Sequence, residues 1–128
     1  IATISTVRQE LLTRQRRFAQ NPDPDKDGAI LDGRDIGTVV CPNADFKLFI
    51  MAELEIRAKR RWKELLQSDP TAIYCDVLEE MRSRDERDTN RKDAPLVVTS
   101  DALVIDTSNK SIDVSFNEAK NWILSRRF

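Results

Sequence analysis

Apolar positions recur along the chain with two different periods. Val7, Leu11 and Phe18, with Leu12 beside them, keep the three-and-four spacing of one helical face. Thr6 followed by Gln9 has the form of a capping box, so a helix is expected over residues 6–19. Asn21-Pro22-Asp23-Pro24 ends it, because proline removes a backbone donor and fixes φ. Ala29-Ile30-Leu31, Lys47-Leu48-Phe49-Ile50 and Ala102-Leu103-Val104-Ile105-Asp106 are short apolar runs, expected as buried strands. Between the second and third, Leu54, Ala58, Trp62, Leu65 and Leu66 mark a helix over residues 53–67. Asp69 as N-cap and Pro70 at the first helical position open another over residues 70–88. Ile112, Phe116, Ala119 and Ile123 give one apolar face to a last helix over residues 111–126. Strands separated by helical segments predict a parallel sheet flanked by helices, an α/β fold whose ligands gather at the carboxyl ends of the strands.

Composition adds limits to this outline. A chain of 128 residues is one domain's worth. Scaling rules expect roughly 21,000 Å² of unfolded surface to shrink to roughly 7,000 Å², enough for a core. Only three glycines are present, which argues against a turn-rich all-β fold. No apolar run approaches the roughly 18 residues of a membrane span, and no basic-then-apolar signal segment opens the chain, so a cytoplasmic protein is expected. Cys41 and Cys75 lack metal-ligand spacing and are expected as reduced, buried thiols; without a single histidine, Cys/His catalysis is excluded. Ile1 in place of methionine is what a piece of a longer chain would show.

Charge is nearly balanced in sum, at −1, but not in sequence: residues 57–63 carry five cations and no anion. Fourteen arginines against seven lysines favour forked recognition of phosphate or carboxylate. The near-neutral total speaks against nucleic acid, which needs a broad basic face, and for a small anionic ligand. Asp32-Gly33-Arg34-Asp35 follows a predicted strand directly. There the glycine lets backbone approach a ligand, Arg34 can fork onto a phosphate, and the aspartates can hold a metal's water shell or accept from a base; a plain polar turn has the same composition. On the helix from residue 70, the apolar stripe Ile73, Val77, Met81 continues in register to Arg84, Asp88 and Arg91, aiming charges where core side chains pointed. Arg57, Lys59, Arg60 and Arg61 lie largely opposite the apolar positions of their helix and read as solvent-facing. Asp23-Pro24-Asp25-Lys26-Asp27-Gly28 opens like an EF-hand calcium loop, but its twelfth position is Arg34 instead of glutamate and no exit-helix periodicity follows.

Four segments together carry a resemblance: Val7-Arg8-Gln9-Glu10-Leu11-Leu12-Thr13-Arg14-Gln15, Asp32-Gly33-Arg34-Asp35-Ile36-Gly37-Thr38-Val39-Val40, Glu55-Ile56-Arg57-Ala58-Lys59-Arg60-Arg61, and Arg84-Asp85-Glu86-Arg87-Asp88-Thr89-Asn90-Arg91 with Ala94-Pro95-Leu96. In this order the chain resembles the C-terminal portion of the bacterial cytidylate (CMP/dCMP) kinases. The resemblance implies the P-loop nucleoside monophosphate kinase fold, C-terminal part only, and ATP- and magnesium-dependent phosphorylation of CMP or dCMP by a monomer. It implies that Arg8, Asp35 and Arg91 read the cytosine, that Arg84 and Asp88 hold the pentose, and that Arg34 binds the acceptor phosphate. Arg57 and Arg60 fall on the basic helix beside a lid, placed around residues 60–75, that closes over ATP. Arg34, Arg57 and Arg60 would carry the catalysis, with Asp32 meeting the metal through water.

The Gly-rich phosphate loop of such kinases, ending in Gly-Lys-[Gly/Ser]-Thr, is not in these 128 residues. In the family's sheet the strand before that loop lies between the strands carrying Asp32 and Phe49, so a gap is expected there. Taken alone, the chain is expected to be inactive. The alternatives are a non-catalytic nucleotide- or anion-binding module, and a helical interaction protein with a calcium-like loop.

Overall fold

The computed structural model describes residues 5–90 and 95–126. Four α-helices, a single π turn and two strands follow in the order α1 (Ser5–Gln20), π turn (Ile36–Val40), β1 (Leu48–Met51), α2 (Leu54–Leu65), α3 (Tyr74–Asn90), β2 (Leu103–Asp106) and α4 (Ile112–Arg126). The segments Leu48-Phe49-Ile50-Met51 and Leu103-Val104-Ile105-Asp106 pair in parallel, with Leu48 opposite Leu103 and Ile50 opposite Ile105. A parallel pair needs a long crossover, and α2 with α3 supplies it. The α/β reading therefore holds for this part of the chain.

The core sits where the crossover meets the strands. Ile105 and Ala58 are fully buried, and Val40, Ala52 and Val77 nearly so. Trp62 packs edge-on to Tyr74, centroids 6.0 Å apart, and its indole N–H donates to the Ala72 carbonyl at 2.8 Å, closing the turn between α2 and α3. Arg16 of α1 forks onto the carbonyls of Val39 and Val40 at 2.8 and 3.1 Å, tying α1 to the π turn. At the start of β1 the largely buried Lys47 side chain pairs with Asp101 at 2.8 Å. That hydrogen bond, with one from Thr99, holds the Asp101 carboxyl down to about 2 from its ordinary 3.8. A carboxyl depressed on folding adds stability above its unfolded value and loses it as pH falls through the folded one. Melting temperature is accordingly expected to drop between about pH 4 and pH 2 more steeply in the parent than in Asp101→Asn. Parallel melting curves across that window would contradict this.

Several expectations need correction. Residues 29–31 form no strand, and Ile30 is 96% exposed. Apolar composition makes a strand only where another strand completes its hydrogen bonds, and among the described residues none lies beside this run. Thr6 falls inside α1, not at its cap, and Leu11 and Phe18 of the α1 stripe are exposed. Asp69 does not cap a helix: its carboxylate accepts from the Thr71 hydroxyl at 2.6 Å and the Thr71 N–H at 3.0 Å, a local turn that delays α3 to Tyr74. Those bonds also lower the Asp69 pKa. Cys75 is exposed and Cys41 only half-buried. On α4, Ile112 and Phe116 are exposed, and Trp122 makes the packing contact instead, edge-on to Phe46 at 5.9 Å. The accessible surface is 10010 Å², against roughly 7,000 Å² for a compact chain of this mass.

Candidate functional site

A cleft of about 740 Å³ is lined by the whole of β1 and by no residue of β2. The segment from Leu31 to Arg34 forms the opposite wall, while Arg57, Arg84 and Asp85 close one end. Asp32 and Phe49 both line it. The residues that the sequence singled out fall around it in three groups.

The first group is Arg8 with Asp35. Arg8 projects from α1 to within 4.0 Å of the Asp35 carboxylate, immediately before the π turn. That turn is closed by the Val40 and Cys41 N–H groups, which donate to the carbonyls of Asp35 and Ile36 at 3.1 and 2.7 Å. Gly33 has a packing duty here: a Cβ on it would lie 3.0 Å from the Ile36 side chain.

A larger group joins three elements. Arg34 reaches Asp88 on α3 at 2.6 Å and stands 3.9 Å from Asp85. Arg84 lies 4.0 Å from the same Asp88 carboxylate. Arg57, at the first turn of α2, grips Asp85 with both guanidinium arms, at 2.6 and 3.2 Å, while its Nε donates to the Ala52 carbonyl at 2.8 Å. The inward row on α3 is thus Val77, Met81, Asp85, Asp88, in steps of four, four and three. Arg84 is the more exposed, at 65% of its side chain against 32% for Asp85. Asp85 is the functional candidate the sequence reading missed. Periodicity alone left it level with Arg84, since a residue four beyond Met81 shares a face with it as surely as one three beyond. Arg57 likewise turns inward where its helix was read as presenting cations to solvent.

Arg60 stands apart, at the carboxyl ends of the strands. Its guanidinium donates to the Thr107 carbonyl at 2.6 Å and the Thr107 hydroxyl at 3.1 Å. Thr107 in turn bonds the Met51 carbonyl through its N–H and hydroxyl, at 2.8 and 3.1 Å. Next to it, Ser108 donates from hydroxyl and N–H to the Asp106 carboxylate at 2.6 and 2.9 Å, which lowers the Asp106 pKa. The Ser108 hydroxyl also accepts from the Glu53 N–H at 2.9 Å.

Asp32 lines the cleft, while Arg91 lies outside the described residues. Among the described residues no three acidic, cysteine or histidine side chains converge on a point that would hold a metal. In the stretch resembling a calcium loop, Asp25 pairs with Lys26 at 3.1 Å, and the π turn that follows is five residues long, too short for an exit helix. Nor is any helix of the described residues long and apolar enough to cross a membrane.

Comparison with known proteins gives the family. Residues 1–123 match the family model described as cytidylate kinase. The cytidylate kinase of Paramagnetospirillum magneticum is 56% identical over 127 residues, covering 99% of this chain and 60% of its own length. Those of Azorhizobium caulinodans and Bartonella henselae are 52% and 47% identical, each over 93% of this chain and 56% and 54% of their own length. The chain therefore spans between half and two thirds of these relatives.

Proposed function

Because the chain belongs to the cytidylate kinase family, we propose that it is the C-terminal part of a kinase that transfers the terminal phosphoryl group of ATP to CMP or dCMP on a P-loop nucleoside monophosphate kinase fold. The observation that carries this reading is the cluster Arg34, Arg57, Arg84, Asp85 and Asp88 at one end of the cleft. It gathers forked cations beside a groove. Phosphoryl transfer asks for little else, since positioning and positive charge supply most of the catalysis.

In this reading Arg34 binds the acceptor phosphate, Arg84 and Asp88 hold the pentose, and Arg8, Asp35 and Arg91 read the cytosine. Asp88, 2.6 Å from Arg34, holds it in place before the ligand arrives, and Asp35 stands 4.0 Å from Arg8. The closer pairing keeps the Arg34 guanidinium ordered at low entropic cost. Arg57 and Arg60 serve the donor side, and the stretch from residue 60 to 75, which includes the turn between α2 and α3, is the lid. Asp32 fits magnesium only through a bound water, which suits an ion that keeps most of its hydration shell and takes its other oxygens from phosphates. The metal, when bound, neutralises phosphate charge. The cleft itself, bounded by an unpaired strand edge, supports a place for a further strand of the full-length protein. A compartment with free nucleotides, the cytoplasm, suits the reaction.

The test is steady-state kinetics on the full-length protein with each nucleoside monophosphate in turn. CMP and dCMP are expected to be preferred. Arg57→Ala and Arg60→Ala are each expected to lower kcat with little change in the KM for CMP, because charge supplied on closure acts mainly in the transition state. Variants whose sole defect is weaker CMP binding would move both arginines to the acceptor side.

A further inference from the structure

The Asp85 carboxylate lies between two guanidiniums. One oxygen is 3.2 Å from Arg57 Nη1 and 3.9 Å from Arg34 Nη1, and the other is 2.6 Å from Arg57 Nη2. With the Ala52 carbonyl on Nε, three of the five Arg57 N–H groups are spent on fixed acceptors. A guanidinium is planar, so three fixed donors settle the direction of the remaining two. Arg34, Arg57 and Asp85 all line the cleft, and 30% of the Arg57 side chain is exposed.

We propose that Asp85 is a positioning residue for phosphate binding: it fixes the Arg57 guanidinium so that one of its two remaining N–H groups, which leave opposite edges of the plane, meets a phosphate oxygen beside Arg34. This rests on the reading that the cleft takes a nucleotide. A carboxylate placed among cations could instead serve only as a counter-charge, and the two roles differ in sign. Removing a counter-charge strengthens anion binding, whereas removing a positioning group weakens it even though the cleft becomes more positive.

Calorimetric titration of the 128-residue chain with pyrophosphate at low ionic strength, beside a second titration with CMP, separates them. Asp85→Asn is expected to weaken pyrophosphate binding about tenfold, the scale of one charge-assisted hydrogen bond. Asp85→Glu, which keeps a carboxylate, is expected to recover most of it. Arg57→Lys keeps the charge but loses the fork, so it is expected to match Asp85→Asn, and the double variant to be no weaker than either. Unchanged or tighter pyrophosphate binding by Asp85→Asn overturns the proposal. Should that variant lose its helical circular dichroism, Arg57→Lys decides: affinity equal to the parent's overturns the proposal. Pyrophosphate binding that depends on Asp85, without CMP binding, upholds the positioning role and removes the nucleotide reading. No binding of either ligand by the parent chain overturns both.

Discussion

Purified free of host kinases, the 128-residue chain is expected to form no ADP from ATP in a CMP-dependent way. Donor phosphates in this class of reaction are held by backbone amides of a Gly-rich loop and its lysine. The three glycines here are Gly28, Gly33 and Gly37, and none lies in a Gly-Lys-[Gly/Ser]-Thr sequence. Lys47, which lines the cleft, is spent on Asp101. Arginines supply charge without the in-line geometry that turns proximity into rate, a loss equivalent to several orders of magnitude. A coupled ADP assay with and without CMP measures this directly, and CMP-dependent turnover by the chain alone would overturn either the proposed truncation or the proposed reaction.

The second large effect concerns Asp88 in the full-length protein. Its side chain is 16% exposed, lies 2.6 Å from Arg34 and 4.0 Å from Arg84, and is the carboxylate those two cations share. Asp88→Ala leaves both without that partner in a partly desolvated setting. Truncating one side of such a pair costs roughly 2 to 5 kcal/mol, or about thirtyfold to several thousandfold in kcat/KM for CMP. The KM for ATP is expected to stay close to the parent's, because the donor is not held by Arg34, Arg84 or Asp88 in the proposed arrangement. Arg91→Ala is expected to show the same asymmetry. Steady-state kinetics with each nucleotide varied in turn would decide, and equal losses for CMP and ATP would sink the assignment of acceptor and donor sides.

What the sequence disclosed and what it hid divide along physical lines. Leu48 to Met51 and Leu103 to Asp106 were legible as strands because each finds the other. The equally apolar Ala29-Ile30-Leu31 was misread, since strand identity resides in a partner and not in the run itself. α2 was legible from Leu54, Ala58 and Trp62, whereas the start of α3 was not. Asp69 can bond a helix N-terminus or its own neighbour two residues on, and only the tertiary pull of Trp62 on Ala72 shows which. Within the candidate site, Arg34 and Asp88 could be named from pattern and resemblance. Asp85 could not, because a period of 3.6 leaves steps of three and four equally admissible, and the choice between Arg84 and Asp85 is made by Arg57 on a different helix. The inward turn of Arg57 was hidden for the same reason: a run of cations looks solvated until an acceptor on another element claims one of them.

The open edge of β1 has a consequence for how the isolated chain behaves in quantity. Four consecutive apolar residues, Leu48-Phe49-Ile50-Met51, present main-chain donors and acceptors to an open cleft, with Ile50 57% exposed. Such an edge is a template for any extended apolar backbone, including the same four residues of another molecule, and edge-to-edge pairing of this kind is how aggregation is seeded. Lys47 and Glu53 flank the run, but Lys47 is engaged by Asp101 and repels little. An edge left open in this way is therefore also a solubility liability, and its severity rises with concentration.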